Sequence, residues 1–219
     1  MSTIAILPVK RFQQAKQRLA QAVAQGHRRA LLEAMLSDTL LALRRVRAIE
    51  QTIVVTADRA AARIAEGHEA TVIDDTASSH SEAALLGVSH AGELGASRVL
   101  LVPGDCPLID PVELEQLLSR PTPASSVLIV PDRHGAGTNA LLLTPPEVIV
   151  PAFGDGSRHR HAALAVNQGA AADVVELQSL ALDIDTPDDL DTLVSTLADT
   201  RGRAAHTRGL LSQLTRTHA

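Results

Sequence analysis

Residues 98–110, RVLLVPGDCPLID, decide how this chain folds. Arg98 to Val102 is apolar without alternation, the pattern of a strand covered on both faces, and so belongs in the middle of a parallel sheet. The turn after it, Gly104-Asp105-Cys106-Pro107, sets a carboxylate on the carboxyl edge of that sheet. Upstream, residues 3–9 (TIAILPV), 51–56 (QTIVVT) and 70–73 read as further strands. Between them, Leu32, Leu36, Thr39, Leu43 and Val46 recur at helical spacing within residues 26–47, and Arg44, Arg45 and Arg47 are expected in the last turn, where cations suit the dipole. Residues 57–66, 81–94 and 111–118 read as shorter helices. Downstream come strands at 126–130 and 139–143, a helix opening at Gly156-Ser157, short strands at 173–177 and 180–184, and a last helix at 187–197 with Pro187 in its first turn. This βαβαβαβ order with a mixed end predicts an α/β three-layer sandwich around a mainly parallel sheet, with ligands at the carboxyl ends of its strands.

At 219 residues the chain has room for one α/β domain, expected over residues 1–199, followed by a basic tail at 200–219. That tail carries Arg201, Arg203, Arg208 and Arg216 without an acid, and reads as a frayed or loosely docked helix. With 45% hydrophobic and 21% charged residues the composition is globular, and a net charge of −5 argues against general nucleic-acid binding. Phe12 and Phe153 are the only aromatics, too few for a base-stacking platform. No apolar run approaches the roughly 20 residues of a membrane span, and MSTIAILPVK lacks the basic start of a secretory signal, so a cytoplasmic location without a membrane partner is expected. Cys106, the lone cysteine, excludes an intramolecular disulfide and reads as a packing residue.

Asp105 sits where a hard metal ligand belongs, and Mg²⁺ asks only for one or two carboxylates beside waters and phosphate oxygens. Asp183 and Asp185, two apart at the end of an expected strand, share one of its sides; Asp185 could equally be a helix N-cap. Lys10, Lys16 and Arg18 are candidate phosphate cations in the loop after the first strand, although by themselves they read as a solvated amphipathic segment. Neither GxxxxGK nor GxGxxG occurs, which argues against a P-loop NTPase and a Rossmann dehydrogenase. Phe153-Gly154-Asp155-Gly156-Ser157 leads into a helix N-terminus, a place for an anion or simply a Ser157 cap. Arg158, His159, Arg160 and His161 follow in the first turn, where cations oppose the dipole unless an acidic ligand is near. The loop of residues 131–146, PDRHGAGTNALLLTPP, is hinged by Gly135 and Gly137 and is too polar for a bare hairpin. Asp132, Arg133 and His134 are expected to order it, and Gly137, Thr138 and Asn139 to line a cleft.

Taken in order, PVK-x5-AK-x-RL (Pro8 to Leu19), GDCPL (Gly104 to Leu108), PDRHGAGTNALLLTPP, FGDGS-x2-RH (Phe153 to His161) and DIDTPDDL (Asp183 to Leu190) resemble the phospholactate and phosphoenolpyruvate guanylyltransferases of coenzyme F-420 biosynthesis. The resemblance implies a Rossmann-like mixed sheet of the nucleotide-diphospho-sugar transferase type. It also implies a cytoplasmic enzyme that joins GTP to a small phosphorylated carboxylic acid (2-phospho-L-lactate, phosphoenolpyruvate or 3-phosphoglycerate) with Mg²⁺, releasing pyrophosphate; a homodimer is compatible with it. On this likeness Pro8, Lys10, Lys16, Arg18, Ser81, Gly104 and Asp105 surround the nucleotide, with Lys10, Lys16 and Asp105 catalytic. Asp105, Asp183 and Asp185 hold the metal, and Gly137, Thr138, Asn139, Gly156, Ser157, Arg160 and His161 receive the acid. The chain departs from the family at His80-Ser81, where a Leu-Asn pair is usual, and at Arg158, where an aromatic is common. A nucleotidyltransferase with another base or acceptor, and a nucleotide-binding regulator without turnover, stand as alternatives.

Overall fold

A computed structural model describes residues 2–13, 15–16, 18–19, 23–200 and 202–217. Gln14 and Gln17 of the first loop and Arg201 of the tail lie outside the described residues. The elements, in chain order, are β1 (Thr3–Pro8), α1 (Gln25–Leu43), β2 (Gln51–Val55), α2 (Arg59–Gly67), β3 (Thr71–Ile73), α3 (His80–Glu93), β4 (Arg98–Leu101) and α4 (Pro111–Leu118). They continue with β5 (Ser126–Val130), β6 (Ala140–Thr144), α5 (Ser157–Asn167), β7 (Ala171–Val174), α6 (Pro187–Asp199) and α7 (Ala205–Thr217).

The strands form one sheet in the order β3-β2-β1-β4-β6-β5-β7. β4 lies centrally, as its apolar run requires, but only its β1 side is parallel; β6 pairs with it antiparallel, Leu101 opposite Leu141. Alternate residues of each strand face opposite layers. Ala5, Leu7, Leu100 and Leu142 pack under α1, α4, α6 and α7, while Ile4, Ile6, Leu101 and Leu143 pack under α3 and α5. The result is the expected three-layer sandwich. Helix α3 lies so close on β1 that a Cβ on Gly87 would meet Ile6 Cγ2 at 2.4 Å, which is why that turn of helix carries glycine.

The strand directions bring distant segments to one edge. β1 and β4 end there, the antiparallel β6 begins there, and β7, parallel to β5, releases the chain there toward Asp183. Residues 180–184, expected as a strand, make no ladder. Leu180, Leu182 and Ile184 are buried in alternation as a strand would bury them. The carbonyls of Leu180 and Ala181, however, accept from Asn139 Nδ2 (2.8 Å) and the Arg133 amide (2.7 Å), so side chain and loop replace a neighbouring strand.

Three helix ends also differ. α1 stops at Leu43, so Arg44, Arg45 and Arg47 lie beyond its last turn, and Arg44 instead reaches Glu69 at 2.8 Å. Thr186, not Asp185, caps α6 in a capping box with Asp189, which leaves the Asp185 carboxylate free of that duty. Gly156, in the left-handed region at φ 69°, is the N-cap of α5, so Ser157 is not a cap. The tail forms α7 and is held more firmly than a loosely docked helix. Asp38, buried on α1, accepts from the amides of His206 (3.1 Å) and Thr207 (2.8 Å), and the Arg208 guanidinium bonds the Leu197 and Thr200 carbonyls.

Candidate active site

The sheet edge opens into a cleft of about 810 Å³, within the range of small-molecule sites. On one side lie Pro8 and Lys10 from the end of β1, Lys16 from the loop after it, and Gly104 and Asp105 from the end of β4. Asp58 steadies that loop. Its carboxylate caps α2 through Ala60 and Ala61 and also accepts from the Phe12 amide at 2.9 Å. Burial pushes the Asp58 pKa up, but those amides outweigh it and the net shift is downward.

Lys16, in the left-handed region at φ 55°, extends its ammonium between the carboxylates of Asp105 and Asp185 and pairs with both. Burial works against the charged lysine, yet the two carboxylates prevail and raise its pKa. Asp183 stands beside this group. Its Oδ1 accepts from Asn139 Nδ2 at 3.2 Å, and burial, then the Asp105 charge, raise its carboxyl to about 6. Asp105 Oδ1 is buried without a hydrogen-bond partner. Among the described residues no three His, Cys, Asp or Glu side chains form a ready-made metal cage. What is present suits a cation that needs few protein ligands: two carboxylates gathered on one point, with one oxygen unsatisfied. Cys106 is buried, and burial, followed by the Asp105 charge, pushes its thiol pKa up, so it packs and does not react.

Across the cleft, residues 131–139 and 153–157 form the other wall. Asp132 Oδ1 accepts from the Ala136 amide at 3.0 Å, and a Cβ on Gly137 would lie 2.6 Å from Asp132 Oδ2, so glycine is needed where the loop folds over its own aspartate. Arg133 pairs with Asp189 at 2.6 Å. Asp132 and Arg133 thus order the loop, as their positions suggested. Gly137, Thr138 and Asn139 line the cleft with Gly156 and Ser157, and the hydroxyls of Ser157 and Thr138 are hydrogen-bonded at 3.1 Å. The amides of Ser157 and Arg158 are taken by the carbonyls of Gly154 and Ala136, so hydroxyls contribute what those amides do not.

Three residues expected at the ligand are not among those that line the cleft. Arg160 donates to the carbonyls of Ala152 (3.0 Å), Asp155 (2.9 Å) and Phe153 (3.2 Å), clamping the loop that carries Gly154 and Gly156. This also explains a cation in the first turn of α5 without any ligand. His161 is fully buried with both ring nitrogens bonded, to the Ala152 amide and to Thr138 Oγ1. Arg18 does not line the cleft. Conversely, His80 and Phe153 do line it, and the Phe153 ring meets the imidazoles of His80 at 5.2 Å and His161 at 5.1 Å, both edge to face. The signal for Phe153 was its rarity, as one of two aromatics, beside the glycines; nothing in the spacing singled out His80.

Burial, and then the Arg160 charge, lower the His161 pKa from 6.5 to about 4. Between those values the unfolded chain binds a proton that the folded one refuses, so acidification favours unfolding. His161→Gln removes that linkage. Between pH 7 and pH 4 the wild type is therefore expected to lose about 3 kcal/mol more unfolding free energy than His161→Gln. Urea unfolding of both proteins across that range checks this, and parallel pH profiles would refute it.

A family model described as "Guanylyl transferase CofC like" matches residues 3–215. A phosphoenolpyruvate guanylyltransferase of Conexibacter woesei is 54% identical over 220 residues, covering 100% of this chain and 99% of that protein. A 3-phospho-D-glycerate guanylyltransferase of Colwellia psychrerythraea is 35% identical, covering 88% of this chain and 91% of its own. The fold is shared with a crystal structure from Desulfovibrio desulfuricans G20 described as a nucleotide-diphospho-sugar transferase, at a TM-score of 0.78 and 16% identity over 97% of this chain and 95% of that one. Similarity that runs from the first strand into the last helix, at more than half identity with one such enzyme, places this chain in the CofC-like guanylyl transferase family.

Proposed function

We propose that this chain transfers GMP from GTP to the phosphate of a small phosphorylated acid, with Mg²⁺ and with release of pyrophosphate, as a step of coenzyme F-420 assembly in the cytoplasm. The observation that carries this reading is the pairing of two unlike walls in one cleft: carboxylates gathered around Lys16, and hydroxyls and glycines around Thr138 and Ser157. No helix of the described residues is long and apolar enough to cross a membrane.

A substrate phosphate is already an anionic nucleophile near neutral pH, so the reaction calls for positioning and charge neutralisation in place of a strong base. Lys10 and Lys16 serve as point charges on the triphosphate, beside Pro8, Gly104 and Ser81. Once Lys16 turns from them to the triphosphate, Asp105 and Asp185, with Asp183 adjacent, would hold Mg²⁺, which when bound neutralises phosphate charge during transfer. Gly137, Thr138, Gly156 and Ser157 hold the acid by close backbone approach and a hydroxyl donor, while Asn139 ties their loop to Asp183. Arg160 and His161 shape that lobe from behind.

The test is pyrophosphate release from each of the four common nucleoside triphosphates, with phosphoenolpyruvate, 2-phospho-L-lactate or 3-phosphoglycerate and Mg²⁺. Release with GTP is expected, fastest with phosphoenolpyruvate, the acid for which the 54% identical relative is named. Turnover with another triphosphate would assign a different base. Tight nucleotide binding without pyrophosphate release would favour a regulator.

A further inference from the structure

Donors and acceptors at the second wall fix where the His161 proton sits. The Ala152 amide donates to His161 Nε2 at 2.9 Å, so that nitrogen presents a lone pair. A neutral imidazole must then carry its proton on Nδ1, which lies 3.1 Å from Thr138 Oγ1 and donates to it. Ser157, buried, shares a hydrogen bond of 3.1 Å with the same oxygen, in which either hydroxyl can donate. The Nδ1–H takes one acceptor position of Thr138 Oγ1, so Thr138 cannot give its proton to the imidazole. The pair therefore holds two hydroxyl protons for one mutual hydrogen bond, and the second is left for the cleft that both residues line. The Phe153 ring packs against the imidazole at 76°, and burial beside Arg160 keeps the imidazole uncharged.

We propose that His161 is a positioning residue that fixes the polarity of the Thr138–Ser157 hydroxyl pair, so that the pair keeps one proton to donate into the cleft and selects an oxygen that only accepts. A phosphate or carboxylate oxygen of the phosphorylated acid has that chemistry. A neutral hydroxyl in its place gains less, because charge-assisted hydrogen bonds are the stronger ones. This inference rests on the reading of the second wall as the acid's lobe. His161 touches no substrate and acts through Thr138, which distinguishes it from a ligand-binding histidine.

Two measurements test it. Long-range ¹⁵N–¹H correlation of histidine-labelled protein is expected to show His161 as the Nδ1–H tautomer, and an Nε2–H or doubly protonated ring overturns the proposal whether or not any acid is turned over. Steady-state kinetics with GTP and phosphoenolpyruvate then compare His161→Leu, His161→Gln, Thr138→Val and the His161→Leu/Thr138→Val double variant. His161→Leu is expected to raise KM for phosphoenolpyruvate by about tenfold or more, leaving KM for GTP within about twofold. His161→Gln, whose amide can accept from Ala152 and donate to Thr138, restores most of that affinity. In the double variant the loss does not exceed that of Thr138→Val alone, because one residue works through the other. Equal increases in both KM values, an unrescued His161→Gln, or additive losses would overturn it. If His161→Leu does not fold, the contrast between His161→Gln and Thr138→Val decides, the first near wild type and the second impaired for the acid alone. Absence of wild-type turnover with every acid, despite an Nδ1–H ring, defeats the proposed reaction and with it the ligand assigned to this proton.

Discussion

Asp105→Asn lowers turnover by at least about a thousandfold while the protein stays folded, an expected loss of about 4 kcal/mol of transition-state stabilisation. Asp105 follows the central strand directly and gives the carboxylate group both a charge against Lys16 and a buried oxygen without a partner. Asparagine keeps the shape and removes the charge. The amide can still present its oxygen to Lys16, and Asp185 remains paired, so the core beneath is undisturbed. What disappears is the anionic ligand at the one point where carboxylates gather. Pyrophosphate release with GTP and phosphoenolpyruvate, read beside a thermal melt, separates the effects. Activity within about tenfold of wild type would remove Asp105 from the proposed metal site.

Lys16→Met is the second large effect, and it shows in stability as well as in rate. Side chains of Lys16 and Asp105 are only 12% and 14% exposed, whereas Asp185 is 50% exposed and contributes less through solvent screening. Removing the ammonium leaves Asp105, Asp183 and Asp185 clustered with no counter-charge between them. A loss of about 2–3 kcal/mol is expected in the presence of a chelator, below the full figure for a wholly buried pair. Mg²⁺ is expected to restore part of this, since a divalent cation can assume the same position between carboxylates. Turnover falls about a hundredfold or more even in saturating Mg²⁺, for want of the point charge on the triphosphate. Melting curves in chelator and in Mg²⁺ check the first part. Identical melting of wild type and variant in chelator would sink the idea that Lys16 holds the carboxylates together.

Particular elements explain how much the sequence revealed. The helix at Pro111–Leu118 and the strand at Ser126–Val130 form as the pattern indicates, because each carries its own punctuation: Asp110 and Pro111 at the helix start, β-branched and leucine residues through the strand. Residues 180–184 show the opposite. They alternate like a strand and are buried like one, but a strand needs a neighbour, and here Asn139 and the Arg133 amide supply the partners. Asp185 had two local roles of equal merit until the fold gave the capping role to Thr186. Arg160 and His161 looked like ligands because charge at a helix start invites an anion; their partners, the loop carbonyls and Thr138, are set by how residues 131–157 fold back.

By itself the sequence determined the layered α/β class, the central strand and the carboxylate at its end, since local periodicity and burial are properties of contiguous residues. It also held the ordered motifs by which the family is recognised. Tertiary structure alone decided that Lys16 stands between Asp105 and Asp185, which are 80 residues apart in the chain. The same holds for His161, whose ring nitrogens it pairs with the Ala152 amide and Thr138 Oγ1. The physical reason is the antiparallel insertion of β6 beside β4. That one reversal of strand direction carries residues 131–139 and, through β7, the acidic segment to the edge where β1 and β4 end. Which side chains then meet depends on distances that no spacing along the chain encodes.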